Sequence, residues 1–237
     1  MSQLIISHRT SPLDAPENSF AGIHVAETQG ADGVEIDLRM SLDQRPFVLH
    51  DWTMRRTTGF PLPIELTPSW IARSKLLQDS DEHVHSLAEV LDELPRGMLL
   101  AVDVKAPWAV VPLMHEIKKR RIEQRVLVWC TSALAVRYAV KRAPAVEVAY
   151  LKGSTDPRGK RELVWRARRL GAKAISAHWN AIDADFCAFT HSYGLRVYSY
   201  HGSQELSPDK LLAGLDGLIT DYPAKARGAL AAVGMVS

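Results

Sequence analysis

The sequence has very few cysteines and no long hydrophobic run. Cys130 and Cys187 are the only cysteines among 237 residues. They have neither the spacing of a metal-ligand motif nor the number that a disulfide framework needs, which is typical of a reducing compartment. No apolar stretch approaches the roughly 18 residues that a membrane-spanning helix requires. The segment from Met1 to His8 lacks a basic region followed by an apolar core. We therefore expect no signal peptide, no integral membrane segment and a cytoplasmic location.

An excess of charge of either sign is also missing. The chain has 29 Lys and Arg residues against 27 Asp and Glu residues, for a formal net charge of +2. This balance gives no reason to expect nucleic acid or another polyanion as the main partner. Because 46% of the residues are hydrophobic, a sizeable core can form. We expect a single domain over residues 1–237.

Segments with strand and helix patterns alternate along most of the chain. The main strands are predicted at residues 4–7, 34–38, 99–104, 125–129, 146–150, 174–176, 195–200 and 217–220. Helical patterns fall near residues 109–121, 132–142, 160–170, 183–193 and 207–213, and from 223 onward. This alternation indicates parallel βαβ units, and eight of them in about 240 residues predict a closed (β/α)8 TIM barrel. Prolines interrupt the pattern around residues 52–85, where we expect a short irregular insertion.

Two acidic residues share one face of the predicted second strand. From Gly33 to Arg39, apolar residues alternate with polar ones, so Glu35 and Asp37 project side by side. Two carboxylates this close repel each other, and burying them is costly without a compensating cation. Their oxygens suit Mg²⁺ or Ca²⁺. The alternative is an exposed edge strand with a solvated acidic face.

Other polar residues fall where predicted strands end. In a (β/α)8 barrel the C-terminal ends of the strands meet at one mouth, where the chemistry takes place. A single site would explain these residues together, whereas a structural account must explain each separately. The residues are His8, Arg9, Glu35, Asp37, His50, Asp51, Asp103, Lys105, His178, Tyr198 and Tyr200.

A series of short motifs carries a family resemblance that spans nearly the whole chain. The motifs are His8-Arg9, Pro16 to Phe20, Gly30 to Asp37, His50-Asp51 followed by Arg56 to Thr58, Ser86 to Leu91, Val102 to Lys105 and Asp216 to Pro223. In this order they resemble the glycerophosphodiester phosphodiesterase family. The resemblance implies a TIM barrel that hydrolyses a small-molecule glycerophosphodiester to glycerol 3-phosphate and an alcohol. It also implies a divalent cation, either Mg²⁺ or Ca²⁺, with Mn²⁺ as a third candidate.

The resemblance also implies a role for each of seven residues. These are the metal ligands Glu35, Asp37 and Asp103, the acid–base pair His8 and His50, and the phosphate-binding Arg9 and Lys105. General chemistry supports these roles. Positive groups offset the charge that protects a phosphodiester from nucleophiles, and a histidine exchanges protons near neutral pH. The nucleophile is either water or a neighbouring hydroxyl of the substrate, which would form a cyclic phosphate.

Two other functions remain open at this level. A phospholipase D-like or cyclising enzyme acting on lysolipids would need an apolar patch at the mouth, for which Trp52, Trp70 and Trp179 are candidates. A non-catalytic phosphodiester-binding barrel is the other alternative. The preferred alcohol group and the oligomeric state are also open.

The chain departs from the family pattern at several positions. Thr10 stands where the family usually has Gly, so a different backbone course is expected there. Asp103 stands where the family usually has Glu. Because its side chain is one methylene shorter, we expect it to bind the metal through water. Tyr198 to His201 replace the usual Trp-Thr-Val-Asn. Glu17 and Asn18 either start a helix or support the site, and Asp51 is expected to orient a neighbour or cap a turn.

Overall fold

The fold is a closed parallel barrel. A computed structural model describes residues 3–234, and within them eight parallel strands form the ring, in the order β1-β9-β8-β7-β6-β5-β4-β2, closed by pairing of β1 with β2. The strands are β1 (Leu4–Ser7), β2 (Gly33–Met40), β3 (Pro46–Val48), β4 (Leu99–Val104), β5 (Val126–Cys130), β6 (Glu147–Lys152), β7 (Ala174–His178), β8 (Arg196–Gly202) and β9 (Gly217–Thr220). Strand β3 pairs antiparallel with β2, outside the ring. The predicted (β/α)8 TIM barrel is confirmed. The expected domain over 1–237 includes residues 1–2 and 235–237, which lie outside the described residues.

Helices connect the strands and cover the outside of the barrel. They are α1 (Phe20–Thr28), α2 (Arg55–Thr58), α3 (Ser69–Arg73), α4 (Leu87–Glu93), α5 (Val110–Arg120), α6 (Ala133–Arg142), α7 (Pro157–Leu170), α8 (Ala184–Ser192), α9 (Pro208–Leu211) and α10 (Pro223–Ala232). Ser19 caps α1 by accepting a hydrogen bond from the Gly22 N–H. Ser86 and Glu89 form a capping box at α4. No helix within residues 3–234 is long and apolar enough to cross a membrane.

Side chains alternate between the two faces of each strand, so the apolar residues form two separate layers. Val34, Ile36 and Leu38 of β2 belong to the large core between the strands and the helices. A smaller core fills the inside of the barrel and includes Ala101 and Trp129. Because side chains alternate between faces, Glu35 and Asp37 point into the barrel interior rather than toward the helices. The inner core therefore lies beneath a polar layer at the mouth.

The insertion between β3 and α4 has a small core of its own. It contains α2, α3 and a 3₁₀ turn over Ile64–Leu66. A separate apolar cluster holds it together: Phe47, Leu49, Met54, Ile64, Ala72, Leu77 and Val84, with Phe60 packed alongside. The Leu49 N–H donates to the Asp37 carbonyl at 2.9 Å. This bond ties the segment that carries His50 to the acidic strand.

Candidate active site

Three carboxylates converge at the mouth of the barrel. In the register of β2 and β4, Asp37 lies opposite Asp103 and Glu35 lies opposite Ala101. Glu35, Asp37 and Asp103 each present an oxygen atom, and these atoms lie within 4.8 Å of one another. All three side chains are buried. The alternative of an exposed edge strand is therefore wrong, because β2 lies between β1 and β4 and its acidic face is inside the barrel.

The electrostatics of this cluster favour a bound cation. Burial and the neighbouring Asp37 charge raise the pKa of Glu35 to about 8. Burial also raises the pKa of Asp103, whose Oδ1 has no hydrogen-bond partner. A divalent cation with a preference for oxygen ligands would compensate these charges and use the free Asp103 oxygen. The 4.8 Å spacing allows direct binding by all three carboxylates, so a water between Asp103 and the ion is not required.

Two basic residues border the carboxylates. Lys105 Nζ lies 2.5 Å from Asp103 Oδ2 and 3.1 Å from Asp37 Oδ1. Burial alone would lower the pKa of Lys105, but the charges of Asp37 and Asp103 outweigh it and raise that pKa. Arg9 Nε lies 3.5 Å from Asp37 Oδ2, and the Arg9 backbone N–H donates to Glu35 Oε2 at 2.9 Å. Burial would raise the pKa of Asp37, but Lys105 and other positive neighbours lower it on balance.

Two histidines line the same cavity, and a carboxylate contacts Nδ1 of each imidazole. His8 Nδ1 lies 2.6 Å from Asp221 Oδ1, and His50 Nδ1 lies 2.7 Å from Asp51 Oδ1. Both imidazoles line a cavity of about 360 Å³ together with the three acidic residues, Arg9 and Lys105. Because each carboxylate occupies Nδ1, Nε2 of each ring is left for other partners. Asp51 orients its neighbour as expected.

Asp221, which contacts Nδ1 of His8, affects the protonation of that imidazole. Burial alone would lower the pKa of His8, but its hydrogen bond to Asp221 and the charge of Glu35 outweigh burial and raise that pKa. The pKa of Asp51 falls to about 2, chiefly through its hydrogen bond with Arg56. Asp221 had no role in the sequence interpretation, although it lies in the matched segment ending at Pro223. Its position within that motif was the available signal.

The loop before α1 supports the acidic strand. Asn18 Nδ2 donates to Asp37 Oδ2 at 3.2 Å, and Asn18 Oδ1 accepts from the Asp37 backbone N–H at 3.2 Å. Glu17 accepts two hydrogen bonds of 2.7 Å from Arg56 and lies 3.4 Å from Arg9. Glu17 and Asn18 therefore support site residues. The helix cap is Ser19.

The backbone after His8 is left-handed despite the absence of glycine. Arg9, Thr10 and Ser11 have φ angles of +43°, +64° and +87°. This conformation is costly for a β-branched residue such as Thr10. Thr10 is fully buried, and its Oγ1 accepts from the Ser19 N–H at 3.1 Å. The threonine thus keeps a conformation that glycine adopts more readily.

Four further residues near the strand ends differ in whether they lie at the active-site cavity. Tyr200 lines the cavity, and His178 packs edge-on against it at 5.2 Å between ring centroids. Tyr198 was wrongly expected at the mouth. Its hydroxyl bonds Glu147 at the start of β6, because its side chain points toward the opposite end of the barrel. Trp179 is buried, and its indole donates to the Glu205 carbonyl.

Two residues that sequence reasoning missed lie on the cavity wall. Trp129 and Ser176 contribute to the lining, and both Trp129 Nε1 and Ser176 Oγ are buried without a hydrogen-bond partner. Neither residue lies in a matched motif, but each is the last residue of a predicted strand, 125–129 or 174–176, and that position was the available signal. Together the fold and the site define a (β/α)8 barrel with a cluster of three buried carboxylates and two imidazoles, each oriented by a further carboxylate.

Comparison with known proteins identifies the family. The model of the glycerophosphoryl diester phosphodiesterase family matches residues 8–225. A glycerophosphodiester phosphodiesterase of Caldanaerobacter subterraneus subsp. tengcongensis is 26% identical over 239 residues, which covers 94% of this chain and 96% of that protein. This chain therefore belongs to the glycerophosphoryl diester phosphodiesterase family. As a member it is an enzyme, a phosphoric diester hydrolase.

Solved structures share the fold. A phosphodiesterase of Oleispira antarctica, in complex with the product sn-glycerol-3-phosphate, superposes with a TM-score of 0.84 at 23% identity and covers 97% of both chains. A putative glycerophosphoryl diester phosphodiesterase of Agrobacterium tumefaciens superposes with a TM-score of 0.88 at 16% identity over the full length of both chains. At these identities the likeness supports the barrel architecture.

Proposed function

We propose that this enzyme hydrolyses glycerophosphodiesters to glycerol 3-phosphate and an alcohol, with a divalent cation and histidine acid–base catalysis. The observation that carries the proposal is the convergence of three buried carboxylates beside two imidazoles that line one cavity. When bound by Glu35, Asp37 and Asp103, a divalent cation supplies positive charge that offsets the phosphodiester anion. Mg²⁺, Ca²⁺ and Mn²⁺ are the candidates.

Arg9 and Lys105 bind and orient the phosphate. Both side chains lie on the cavity wall and form ion pairs with the carboxylates. If Asp37 and Asp103 held a divalent cation, Lys105 would interact less strongly with these two carboxylates. Its ammonium group can then bind a phosphate oxygen and contribute to charge stabilisation in the transition state.

His8 serves as the general acid and His50 as the general base. Asp221 helps raise the pKa of His8, which favours the protonated imidazole, so that His8 can deliver a proton from Nε2 to the leaving oxygen. Asp51 orients His50 so that its Nε2 can accept a proton from the attacking hydroxyl group. The same arrangement serves either water or a neighbouring hydroxyl of the substrate as the nucleophile.

The unpaired donors on the cavity wall suit a polyol. Trp129 Nε1 and Ser176 Oγ are buried and have no hydrogen-bond partner within residues 3–234. A buried donor without a partner costs free energy, and a substrate hydroxyl would remove that cost. The glycerol 3-phosphate bound by the Oleispira antarctica phosphodiesterase is a ligand of this chemistry. We therefore assign the two residues to the glycerol group.

Leaving-group dependence tests the two histidine roles. Each of His8→Ala and His50→Ala should lose about 10²–10⁴-fold in rate on glycerophosphocholine, whose leaving alkoxide needs a proton. With a p-nitrophenyl ester of glycerol phosphate, whose leaving group departs without a proton, His8→Ala should regain most of its rate and His50→Ala should not. Rescue of His50→Ala instead would reverse the roles. Full activity of wild-type protein after exhaustive chelation would exclude the metal-dependent mechanism.

A lysolipid is the second candidate substrate, supported by exposed tryptophans that follow site residues in the sequence. Trp52 follows His50 and Asp51 in sequence and is 57% exposed, and Trp108 follows strand β4 and is 76% exposed. Trp179, one of the expected apolar contacts, is buried and unavailable. Parallel assays with glycerophosphocholine and lysophosphatidylcholine distinguish the two substrates. Preferential cleavage of the lysolipid, lost in Trp52→Ala, would favour this alternative.

A further inference from the structure

A second group of metal-ligating side chains lies beside helix α4. His83, His85 and Glu89 each present a donor atom, and these atoms lie within 4.8 Å of one another. None of the three residues lines the active-site cavity. The group contains two imidazoles and one carboxylate, whereas the active-site cluster contains carboxylates alone.

His85 has one nitrogen bonded and one unpaired. Its Nε2 lies 2.7 Å from Glu82 Oε2, and its Nδ1 is buried and has no hydrogen-bond partner among the residues that the structure describes. The Glu82 carboxylate also accepts hydrogen bonds from the backbone N–H groups of Phe20 and Ala21, at 2.7 and 2.9 Å. It is therefore an acceptor in all of these contacts. Nε2 of His85 must therefore carry the proton. Nδ1 is left with a free lone pair, as in a histidine whose other nitrogen is oriented for metal binding.

The position of the His85 ring is fixed by its surroundings. The side chain is only 2% exposed and stacks on Phe20 at 3.7 Å between ring centroids. The His85 carbonyl accepts from the Val48 N–H at 2.9 Å, which anchors the backbone to β3. Because neither ring nor backbone is free to turn toward water, the unpaired Nδ1 is costly unless a ligand binds it.

The two carboxylate oxygens of Glu89 have different partners. Oε2 accepts from the backbone N–H and the hydroxyl of Ser86, which completes the capping box of α4. Oε1 faces His83 Nε2 at 3.2 Å and also pairs with Arg73. The Arg73 side chain is 61% exposed, so it can move into solvent and leave Oε1 to another cation.

We propose that His83, His85 and Glu89 bind a transition-metal dication such as Zn²⁺ at a site separate from the catalytic centre. Two imidazole nitrogens and one carboxylate oxygen are the donor set that suits Zn²⁺, whereas Mg²⁺ prefers oxygen ligands alone. A fourth, tetrahedral position is left for water. Bound metal would connect the end of the insertion to the first turn of α4. Through Glu82, the same site is linked to the start of α1.

Calorimetric titration of the full chain with Zn²⁺ tests the site. Excess Mg²⁺ is present to occupy the active-site carboxylates. We expect His83→Gln and Glu89→Gln each to weaken Zn²⁺ binding at least tenfold. Gln at position 89 can still serve a capping box, so helix α4 should persist. Arg73→Gln removes the competing cation and should tighten binding. The matched control is His24→Gln, since His24 pairs with Glu93 at 2.7 Å but belongs to no group of three potential metal ligands among residues 3–234.

A structural readout accompanies the titration. Zn²⁺ should raise the melting temperature of the wild type and of His24→Gln, and should leave that of His83→Gln unchanged. If the active-site carboxylates also take Zn²⁺, His83→Gln should lose one equivalent of binding and keep the other. The proposal is wrong if wild-type protein binds no Zn²⁺ in Mg²⁺ buffer, or if both ligand variants keep the wild-type affinity and stoichiometry.

Discussion

Asp221 and His8 are separated by 213 positions in the chain, yet Asp221 Oδ1 lies 2.6 Å from His8 Nδ1. The pair joins the end of β9 to the end of β1, two strands that are neighbours in the ring. An anionic partner at this distance favours the protonated imidazole. This contact supports the proposed role of His8 as the general acid.

Replacing Asp221 should shift the pH dependence of the reaction. In Asp221→Asn the imidazole loses its anionic partner, so its pKa falls and less His8 is protonated near neutral pH. Because the protonated form is the active acid, activity is lost as pH rises through this pKa. The alkaline limb of the rate profile should therefore move to lower pH. An unchanged profile on glycerophosphocholine would contradict the assignment of His8 as the acid.

Removing the charge of Asp103 should impair metal binding as strongly as removing that of Asp37. Both residues present oxygens within the same 4.8 Å cluster, and Asp103 Oδ1 has no other partner. We expect Asp103→Asn and Asp37→Asn each to lose at least about tenfold in metal affinity, measured by calorimetry with Mg²⁺ or Mn²⁺. If Asp103→Asn loses little while Asp37→Asn loses much, Asp103 acts through water, as its shorter side chain predicts.

Metal affinity should depend on the protonation of Glu35. Burial and the Asp37 charge raise the pKa of Glu35 to about 8, so protons compete with the metal below that pH. Affinity should rise by up to about tenfold per pH unit up to this pKa and level off above it. Calorimetry at pH 7 in buffers of different ionisation enthalpy should detect proton release on binding. In Glu35→Gln the remaining affinity should vary less with pH, and an unaltered slope would rule out Glu35 as the competing group.

A methyl group at position 22 should disturb the loop that carries Arg9. A Cβ built on Gly22 would lie 2.2 Å from the backbone oxygen of Thr10, in a fully buried contact. We expect Gly22→Ala to destabilise the protein by about 1–3 kcal/mol, through the backbone shift that overpacking forces. It should also lower turnover, because Arg9 is displaced. Denaturant unfolding and activity assays measure the two effects.

The control for this substitution is Gly228→Ala in helix α10. Position 228 is exposed, and an added Cβ would meet no atom within 4 Å. Alanine is the better helix former, so this variant should be more stable than wild type by about 0.5–1 kcal/mol. If both variants changed the free energy of unfolding by the same amount, the contact with Thr10 would not be the cause of the change in Gly22→Ala.

Local patterns in the sequence determined much of the architecture. Glu35 and Asp37 share a face because successive side chains of any strand alternate, whatever surrounds it. Ser86 and Glu89 form their capping box because both partners lie within one helical turn. The alternation of strand and helix patterns predicted the eight barrel strands for the same reason. These features depend on interactions between residues that are close in the chain.

Contacts between distant segments were decided by closure of the barrel. The register of β2 and β4 brings Asp103 beside Asp37, and the neighbouring positions of β1 and β9 bring Asp221 to His8. The same geometry points Tyr198 away from the mouth. Register and strand order depend on how all eight strands pack around one core. No local pattern contains that information, so the sequence alone determined which side chains could react, and the tertiary structure decided which of them meet.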